Sequence, residues 1–180
     1  MPASRPLIVF DLETQKEASE VGGWGNIRAM RMSVGVTWNS ADKNFHRYEE
    51  GNVADLVAEL KSASLVVGYN VLRFDYEVLS YYTRENLRKL PTLDILTALY
   101  NQLGFRVKLD DVAAATLGQA KSADGMQAIR WWREGQLDQI YEYCRQDVDI
   151  TRQVYEFGRK NRYVQFNDRY GGLRRVAVDW

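Results

Sequence analysis

The N-terminal part of the chain shows the hydrophobic pattern of β-strands. Residues 6–12, PLIVFDL, contain a continuous apolar run of the kind that is covered on both faces in a sheet, which predicts a central strand. Residues 30–38 and 44–50 predict two further strands, and the turn-prone letters NSADKN lie between them. Together these two segments predict an antiparallel meander.

The pattern then changes to a strand, helix, strand crossover and a largely helical second half. Apolar residues recur at helical spacing behind an asparagine that can cap the helix: Val53, Leu56, Val57 and Leu60. Residues 64–70 return as a buried strand, and residues 74–158 have a helical period almost throughout. The last segment, residues 162–180, alternates around DRYGG and predicts a hairpin. The chain is therefore expected to be an α/β protein whose helices wrap a sheet.

Length and charge narrow the possible functions. With 180 residues and 46% apolar content, the chain is long enough for one domain, residues 1–180, with a sizeable core. Lysine plus arginine equals aspartate plus glutamate, at 24 each. The overall field therefore cannot hold a polyanion, and binding to nucleic acid must come from local patches.

The sequence also predicts a cellular location. Cys144 is the only cysteine, which excludes an internal disulfide and a cysteine-based zinc cluster and fits a reducing compartment. The first residues lack the apolar region of a secretion signal, and no apolar run approaches the roughly 18 residues that span a bilayer. We expect a soluble, cytoplasmic protein that does not associate with membranes.

Two carboxylates end the first predicted strand. Asp11 and Glu13 lie two residues apart, so their side chains point to the same face of the sheet. Ligands of open α/β sheets bind at the carboxyl ends of the strands, where a carboxylate pair can share a hard cation such as magnesium or manganese. The alternative is that the strand simply reaches solvent at this point.

Two later segments supply further acids. Asp75 follows Phe74 at the start of a predicted helix, where an acid can also do no more than complement the helix dipole, and Asn70 ends the preceding strand. Tyr143 and Asp147 are four residues apart and share one helical face. Asp149 projects to another face and is expected to be solvated or paired.

In this order, the segments FDLET, YNVLRFD and YCRQD resemble the DEDD superfamily of 3′→5′ exonucleases, whose three blocks are DxE, NxxxF/YD and either YxxxD or HxxxD. The resemblance implies a ribonuclease-H-like fold, in which helices flank a mixed central β-sheet. His46, the only histidine, precedes the third block by almost a hundred residues, so the tyrosine subclass is implied. In that family two divalent cations, Mg²⁺ or Mn²⁺, are held by four acids, here Asp11, Glu13, Asp75 and Asp147. Tyr143 takes the position that helps to place the attacking water, and Asn70 and Phe74 match supporting positions.

The implied activity is metal-dependent release of nucleoside 5′-monophosphates from the 3′ ends of single-stranded or frayed DNA or RNA. Two alternatives stay open: a structure-specific endonuclease on the same fold, and a nucleic-acid-binding or helicase-associated module with little catalysis. Similar domains often accompany polymerases and helicases, which are possible protein partners. The four acids argue against a pure binding module, because negative charge repels a polyanion.

Two regions are candidates for holding the strand. In the glycine-rich loop after the first acidic block, Trp24 and Arg28 can hold a terminal base by stacking, or Trp24 can close the sheet edge as an apolar plug. Residues 159–175 carry six positive charges against one negative, and Arg174 and Arg175 can contact phosphates or simply be solvated. Isolated basic residues are weaker candidates for phosphate contacts: Arg73, Lys108 and Lys121.

Overall fold

A computed structural model describes residues 5–119, 125–168 and 170–180. Its centre is a five-stranded mixed sheet with the strand order β3-β2-β1-β4-β5. The strands of this sheet are β1 (Leu7–Thr14), β2 (Met32–Asn39), β3 (Asn44–Glu49), β4 (Leu65–Gly68) and β5 (Thr92–Asp94). A separate hairpin near the C-terminus is formed by β6 (Tyr163–Asn167) and β7 (Leu173–Ala177). The expected α/β architecture, a mixed sheet flanked by helices with a C-terminal hairpin, is confirmed.

The first strand occupies the middle of the sheet. It pairs antiparallel with β2 and parallel with β4, while β2 and β3 form the expected antiparallel meander. Ile8, Val9, Phe10 and Leu12 are buried on the two faces of this strand, as the continuous apolar run at its start predicts. The end of β1, with its two acids, therefore lies on the middle strand of the sheet.

Helices cover both faces of the sheet. They are α1 (Val53–Ser62), α2 (Asp75–Leu79), α3 (Ile95–Leu103), α4 (Leu109–Leu117), α5 (Gly125–Arg133) and α6 (Leu137–Asn161). On one face Ile8, Phe10 and Leu12 of β1 join the apolar side of α1 in a buried core. On the opposite face Val9 of β1 belongs to a second core with α6.

The fifth strand is absent from the sequence prediction. The hydrophobic period predicts helix from Leu93 onward, whereas the structure has strand β5 over Thr92–Asp94 and begins α3 at Ile95. A strand of three residues is too short to show a period of two, so the helical period that follows it dominates the pattern. Asp94 caps α3 by accepting a hydrogen bond from the backbone N–H of Thr97.

The predicted hairpin at the C-terminus packs on α4. Thr116 Oγ1 donates to the carbonyl oxygen of Gln165 and accepts from its N–H, both at 2.9 Å. Beyond the hairpin, Trp180 lies against Gly158 of α6 and donates from Nε1 to the carbonyl oxygen of Tyr155 at 3.2 Å. Among the described residues, no helix is both long and apolar enough to cross a bilayer.

The indole of Trp180 should leave room for no residue larger than glycine at position 158. Alanine in a helix interior is normally about 0.5–1 kcal/mol better than glycine. Here a Cβ at position 158 would lie 2.6 Å from Nε1 of Trp180. We expect Gly158→Ala to lower the free energy of unfolding by about 1–3 kcal/mol, as overpacking does elsewhere. Urea denaturation measures this change.

A second variant separates the contact from general effects on the helix. With Trp180→Ala as the background, Gly158→Ala should instead stabilise the protein by about 0.5–1 kcal/mol, because the obstructing ring is gone. The same sign of effect in both backgrounds would show that the indole does not set the size of residue 158.

Candidate active site

Asp11 and Glu13 share the face of β1 that is directed toward α6. One carboxylate oxygen of each residue and Sγ of Cys144, on α6, lie within 4.8 Å of one another. The register between β1 and β2 shifts between Glu13 and Thr14, directly after the pair. Such irregularities re-aim side chains next to functional sites. The two carboxylates are partly buried in the protein rather than extended into solvent.

Helix α6 provides the facing wall of this acidic site. Tyr143 and Asp147 lie one turn apart on it, and both are partly buried. Between them, the buried Cys144 has its Sγ 3.4 Å from both the backbone oxygen and Oδ2 of Asp11. The ring of Tyr143 meets Trp131 of α5 edge to face, with 6.2 Å between ring centroids. The sequence pattern of an apolar cysteine in a helix gives no sign of its contact with Asp11.

Asp75 reaches the same site from the first turn of α2. It is buried, and its Oδ1 accepts a hydrogen bond of 3.1 Å from the backbone N–H of Leu12, the residue between Asp11 and Glu13. The three acidic segments of the sequence therefore converge at the end of β1. Asp149, in contrast, pairs with Arg152 on the other side of α6, as expected.

A tight turn between β4 and α2 fixes the approach of Asp75. Gly68 ends β4 where a Cβ would lie 2.2 Å from Val71, and Asn70 has a φ of 70°. The buried carboxylate of Asp94 accepts hydrogen bonds from the N–H groups of Asn70 and Leu72 at 2.8 and 3.0 Å. Asp94 is a supporting residue that the sequence analysis did not find. An aspartate directly before an apolar helical pattern is its only sequence signal.

The site is electrostatically strained. Burial raises the pKa of Asp11 well above its usual range, and the charges of Asp75, Glu13 and Asp147 raise it further. Burial likewise raises the pKa of Glu13, together with the charges of Asp147 and Asp75. Burial raises the pKa of Asp75 to about 8, although hydrogen bonds from backbone N–H groups oppose the shift. Four carboxylates that repel one another are a suitable environment for cations.

The donor set fits hard divalent cations. Carboxylate oxygens are the ligands that magnesium and manganese prefer, and they come here from two residues of one strand and from two helices. Cys144 is the soft atom of the cluster, and its thiol lies within hydrogen-bonding distance of the Asp11 carboxylate. The residues therefore form a candidate acidic metal site.

A small cavity with a volume of about 250 Å³ lies beside the turn that carries Asn70. Trp24 and Phe74 face it, with 6.4 Å between ring centroids, and Trp24 is 68% exposed. Arg73, a weaker candidate from the sequence, and Arg106 also line the cavity. Arg28 lies on the same loop as Trp24, and its guanidinium donates to the carbonyl oxygen of Ser80 at 3.4 Å.

The basic residues of the C-terminal segment lie on the hairpin. Arg174 donates to Asp168 at 2.8 Å, and the guanidinium of Arg175 lies over the ring of Tyr163 at 4.4 Å from its centroid. Both arginines line a groove next to the hairpin. Lys108 is exposed just before α4. Lys121 and Arg169, which belong to the predicted basic contacts, lie outside the described residues.

The mixed sheet, with carboxylates gathered where β1 ends, defines the class of protein as a ribonuclease-H-like α/β domain. A family model described as the RNase_H superfamily matches residues 8–157, and the chain belongs to that superfamily. Within this fold, the acidic cluster at the end of β1 is a possible site for a metal ion. No curated protein matches the sequence significantly.

Comparison with solved structures shows the same fold at low sequence identity. The family B DNA polymerase from the hyperthermophilic archaeon Pyrobaculum calidifontis matches with a TM-score of 0.59 and 15% identity. The match covers 89% of this chain and 25% of the polymerase chain. This chain thus spans about a quarter of the polymerase's length.

Without metal, the protein should lose stability as the pH rises from about 5 to 8. Carboxylates in the unfolded chain have pKa values near 4, so over this range the folded protein holds more protons than the unfolded one and its stability falls with pH. We expect Asp75→Asn to make the fall shallower, because asparagine can still accept the Leu12 hydrogen bond but carries no charge. Melting temperatures measured in EDTA at several pH values test this.

His46 also contributes to the change in stability over this pH range, so its effect requires a control. Burial lowers its pKa, but hydrogen bonds to Asp42 and Glu59 and their charges outweigh burial and raise it. Its stabilising effect is therefore also lost as the pH rises. A His46→Gln variant should retain the slope that is due to the acids. Parallel profiles for the wild type and Asp75→Asn would contradict the raised pKa of Asp75.

Proposed function

We propose that this protein is a 3′→5′ exonuclease of the tyrosine subclass of the DEDD superfamily. The observation that carries the proposal is the convergence of three separate acidic segments at the end of β1. Asp11 and Glu13 come from the strand, Asp75 approaches from α2 by its bond to Leu12, and Asp147 faces the pair from α6 with Tyr143. These are the residue types and element types that the three exonuclease blocks imply.

In this proposal Asp11, Glu13, Asp75 and Asp147 hold two divalent cations, Mg²⁺ or Mn²⁺. When bound, such cations supply a hydroxide nucleophile at neutral pH and neutralise the charge that develops on the leaving 3′ oxygen. The protein's own contribution is to keep four carboxylates together despite their repulsion. Packing of α6 against β1 and the hydrogen bond between Leu12 and Asp75 provide that restraint.

Tyr143 has a positioning role in this mechanism. Burial raises the pKa of its phenol, and the charges of Glu13 and Asp147 act in the same direction. The hydroxyl therefore stays protonated at neutral pH and cannot serve as a general base. It can orient an attacking water by a hydrogen bond, and the edge contact with Trp131 limits the motion of its ring.

The cavity between Trp24 and Phe74 is the proposed place for the 3′-terminal nucleotide. Both rings offer stacking surface, and Asn70 and Arg73 supply polar groups at the rim. A paired end would have to melt before it enters, at a cost of a few kcal/mol. Single-stranded or frayed DNA or RNA is therefore the proposed substrate. Arg28 would reach it only after leaving Ser80.

The structural similarity to a DNA polymerase motivates a protein partner as well. Only a quarter of that polymerase corresponds to this chain. We propose that this domain works alongside a polymerase or a helicase that delivers single-stranded ends. An endonuclease on the same fold is the competing hypothesis, since two cations held by the same acids would act on an internal bond in the same way as on a terminal one.

End-labelled strands should distinguish these activities. With Mg²⁺ or Mn²⁺, we expect 3′-labelled single strands to release labelled mononucleotide from the start, while 5′-labelled strands give a ladder that shortens with time. Asp11→Asn and Asp147→Asn should each abolish turnover, because each removes a metal ligand. Circular dichroism of both variants controls for folding.

The same assay separates the alternatives. Internal fragments at early times, or cleavage of a circular single strand, would favour the endonuclease. If the wild type binds strands but leaves both labels intact with either metal, the binding-module hypothesis is correct.

Tyr143→Phe should weaken hydrolysis less than loss of an acid does. The variant removes one hydroxyl and leaves the four carboxylates and the ring contact with Trp131 in place. We expect a roughly tenfold slower single turnover, because the loss is that of one orienting hydrogen bond, worth about 1 kcal/mol. Asp147→Asn serves as the comparison, and equal losses in the two variants would show that Tyr143 does more than orient water.

A further inference from the structure

Two cavities on the protein surface meet at one side chain, Arg106. This arginine lines the cavity next to Trp24 and Phe74, and it also lines a larger groove beside the C-terminal hairpin. Its guanidinium donates to Oδ1 of Asn70 at 3.1 Å, on the turn that leads to Asp75. Arg106 therefore links the groove to the turn that precedes Asp75.

The hairpin groove, as we name it, lies between the segment that follows α3 and the β6–β7 hairpin. Its volume is about 1020 Å³, at the upper end of the range of roughly 300–1,000 Å³ for ligand-binding clefts. It is lined by aromatic and basic side chains, chiefly Phe105, Arg106, Phe166, Tyr170, Arg174 and Arg175.

Two of these aromatic rings are unusually accessible. Tyr170 is 81% exposed and Phe105 is 49% exposed. Phe105 is held in place by an edge contact with the buried Phe166, with 5.9 Å between centroids. A large exposed ring that is fixed from behind offers its other face to a flat ligand. Bases of single-stranded nucleic acid are such ligands, and any base can stack.

The charge of the described groove lining matches a phosphate backbone. Three arginines face two acids, Asp111 and Asp168. Asp168 accepts hydrogen bonds from Arg174 and from the N–H groups of Tyr170 and Gly172. Arg174 and Asp168 therefore offset each other's charge, and Arg106 and Arg175 remain against Asp111. Arg175 stays exposed while Tyr163 supports its guanidinium. Arginines alternating with exposed rings are typical of surfaces that bind single strands.

We propose that the hairpin groove binds single-stranded nucleic acid upstream of the 3′ end that occupies the Trp24 cavity. The strand passes Arg106, stacks on Phe105 and Tyr170, and places its phosphates near Arg174 and Arg175. This inference rests on the proposed exonuclease function for its polarity. Strand binding itself can be measured without hydrolysis.

The test is fluorescence anisotropy of labelled single-stranded DNA and RNA in EDTA, where no cleavage occurs. Tyr170→Ala should weaken binding at least about fivefold, the lower end of the loss of one base stack, and Phe105→Ala should act similarly. Tyr170 is the safer variant, since its side chain is almost fully exposed and Phe105 also packs on Phe166. Tyr100→Ala is the matched control, because Tyr100 is 48% exposed on α3 and should leave affinity unchanged.

Salt dependence tests the arginines separately. Arg174→Gln combined with Arg175→Gln should flatten the plot of log affinity against log salt by a slope of roughly 0.7 per lost phosphate contact. Arg84→Gln, which changes an exposed arginine outside the groove lining and the basic C-terminal segment, should leave the slope as it is. Strand length gives a third measurement. Oligonucleotides of about 3 residues should bind the wild type and Tyr170→Ala equally, whereas those of about 12 residues should distinguish them.

Unchanged affinity and salt slope in the groove variants would overturn the proposal and leave a protein partner as the better occupant. Loss of strand binding in these variants, together with intact labels in the hydrolysis assay, would keep the groove and refute the exonuclease. If every groove variant hydrolyses strands and binds them with wild-type affinity, the exonuclease is kept and the groove proposal is refuted.

Discussion

The mutual repulsion of the carboxylates at the end of β1 is the constraint on which the rest of the molecule depends. Asp11 and Glu13 are brought together by the alternation of a strand, and burial makes their negative charge costly to maintain. The surrounding structure holds this arrangement by two well-packed cores, one on each face of the strand. Burial of the apolar run before Asp11 on both faces of the strand thus offsets the repulsion between the carboxylates.

Much of this arrangement could be predicted from the sequence because it is periodic. The central strand, the meander, the long last helix and the hairpin all repeat over enough residues to show a pattern. The acids could be predicted because a strand and a helix each fix which side chains share a face, as for Asp11 with Glu13 and Tyr143 with Asp147. Strand β5 could not be predicted in this way, since three residues do not establish a period.

The contacts that sequence analysis missed join residues far apart in the chain. Cys144 meets Asp11, Arg106 meets Asn70, and Trp180 covers Gly158. None of these pairs lies within one helix or strand with a recognisable pattern, so only the packing of elements determines them. Packing also determines which surface cavities lie next to one another. Trp24 and the hairpin arginines are separate sequence segments, and the side chain of Arg106 connects the cavities beside them.

The hydrogen bonds of Asp94 make the outer edge of the sheet and the acidic site one cooperative unit. A single buried carboxylate caps α3 through Thr97 and holds the turn before Asp75 through Asn70 and Leu72. If the first turn of α3 frays, the same fluctuation releases the turn that directs Asp75 toward Leu12. Local opening at the start of α3 is therefore coupled to the position of Asp75 in the acidic site. We expect the backbone amides of this turn and of the start of α3 to exchange together, because the same carboxylate holds both.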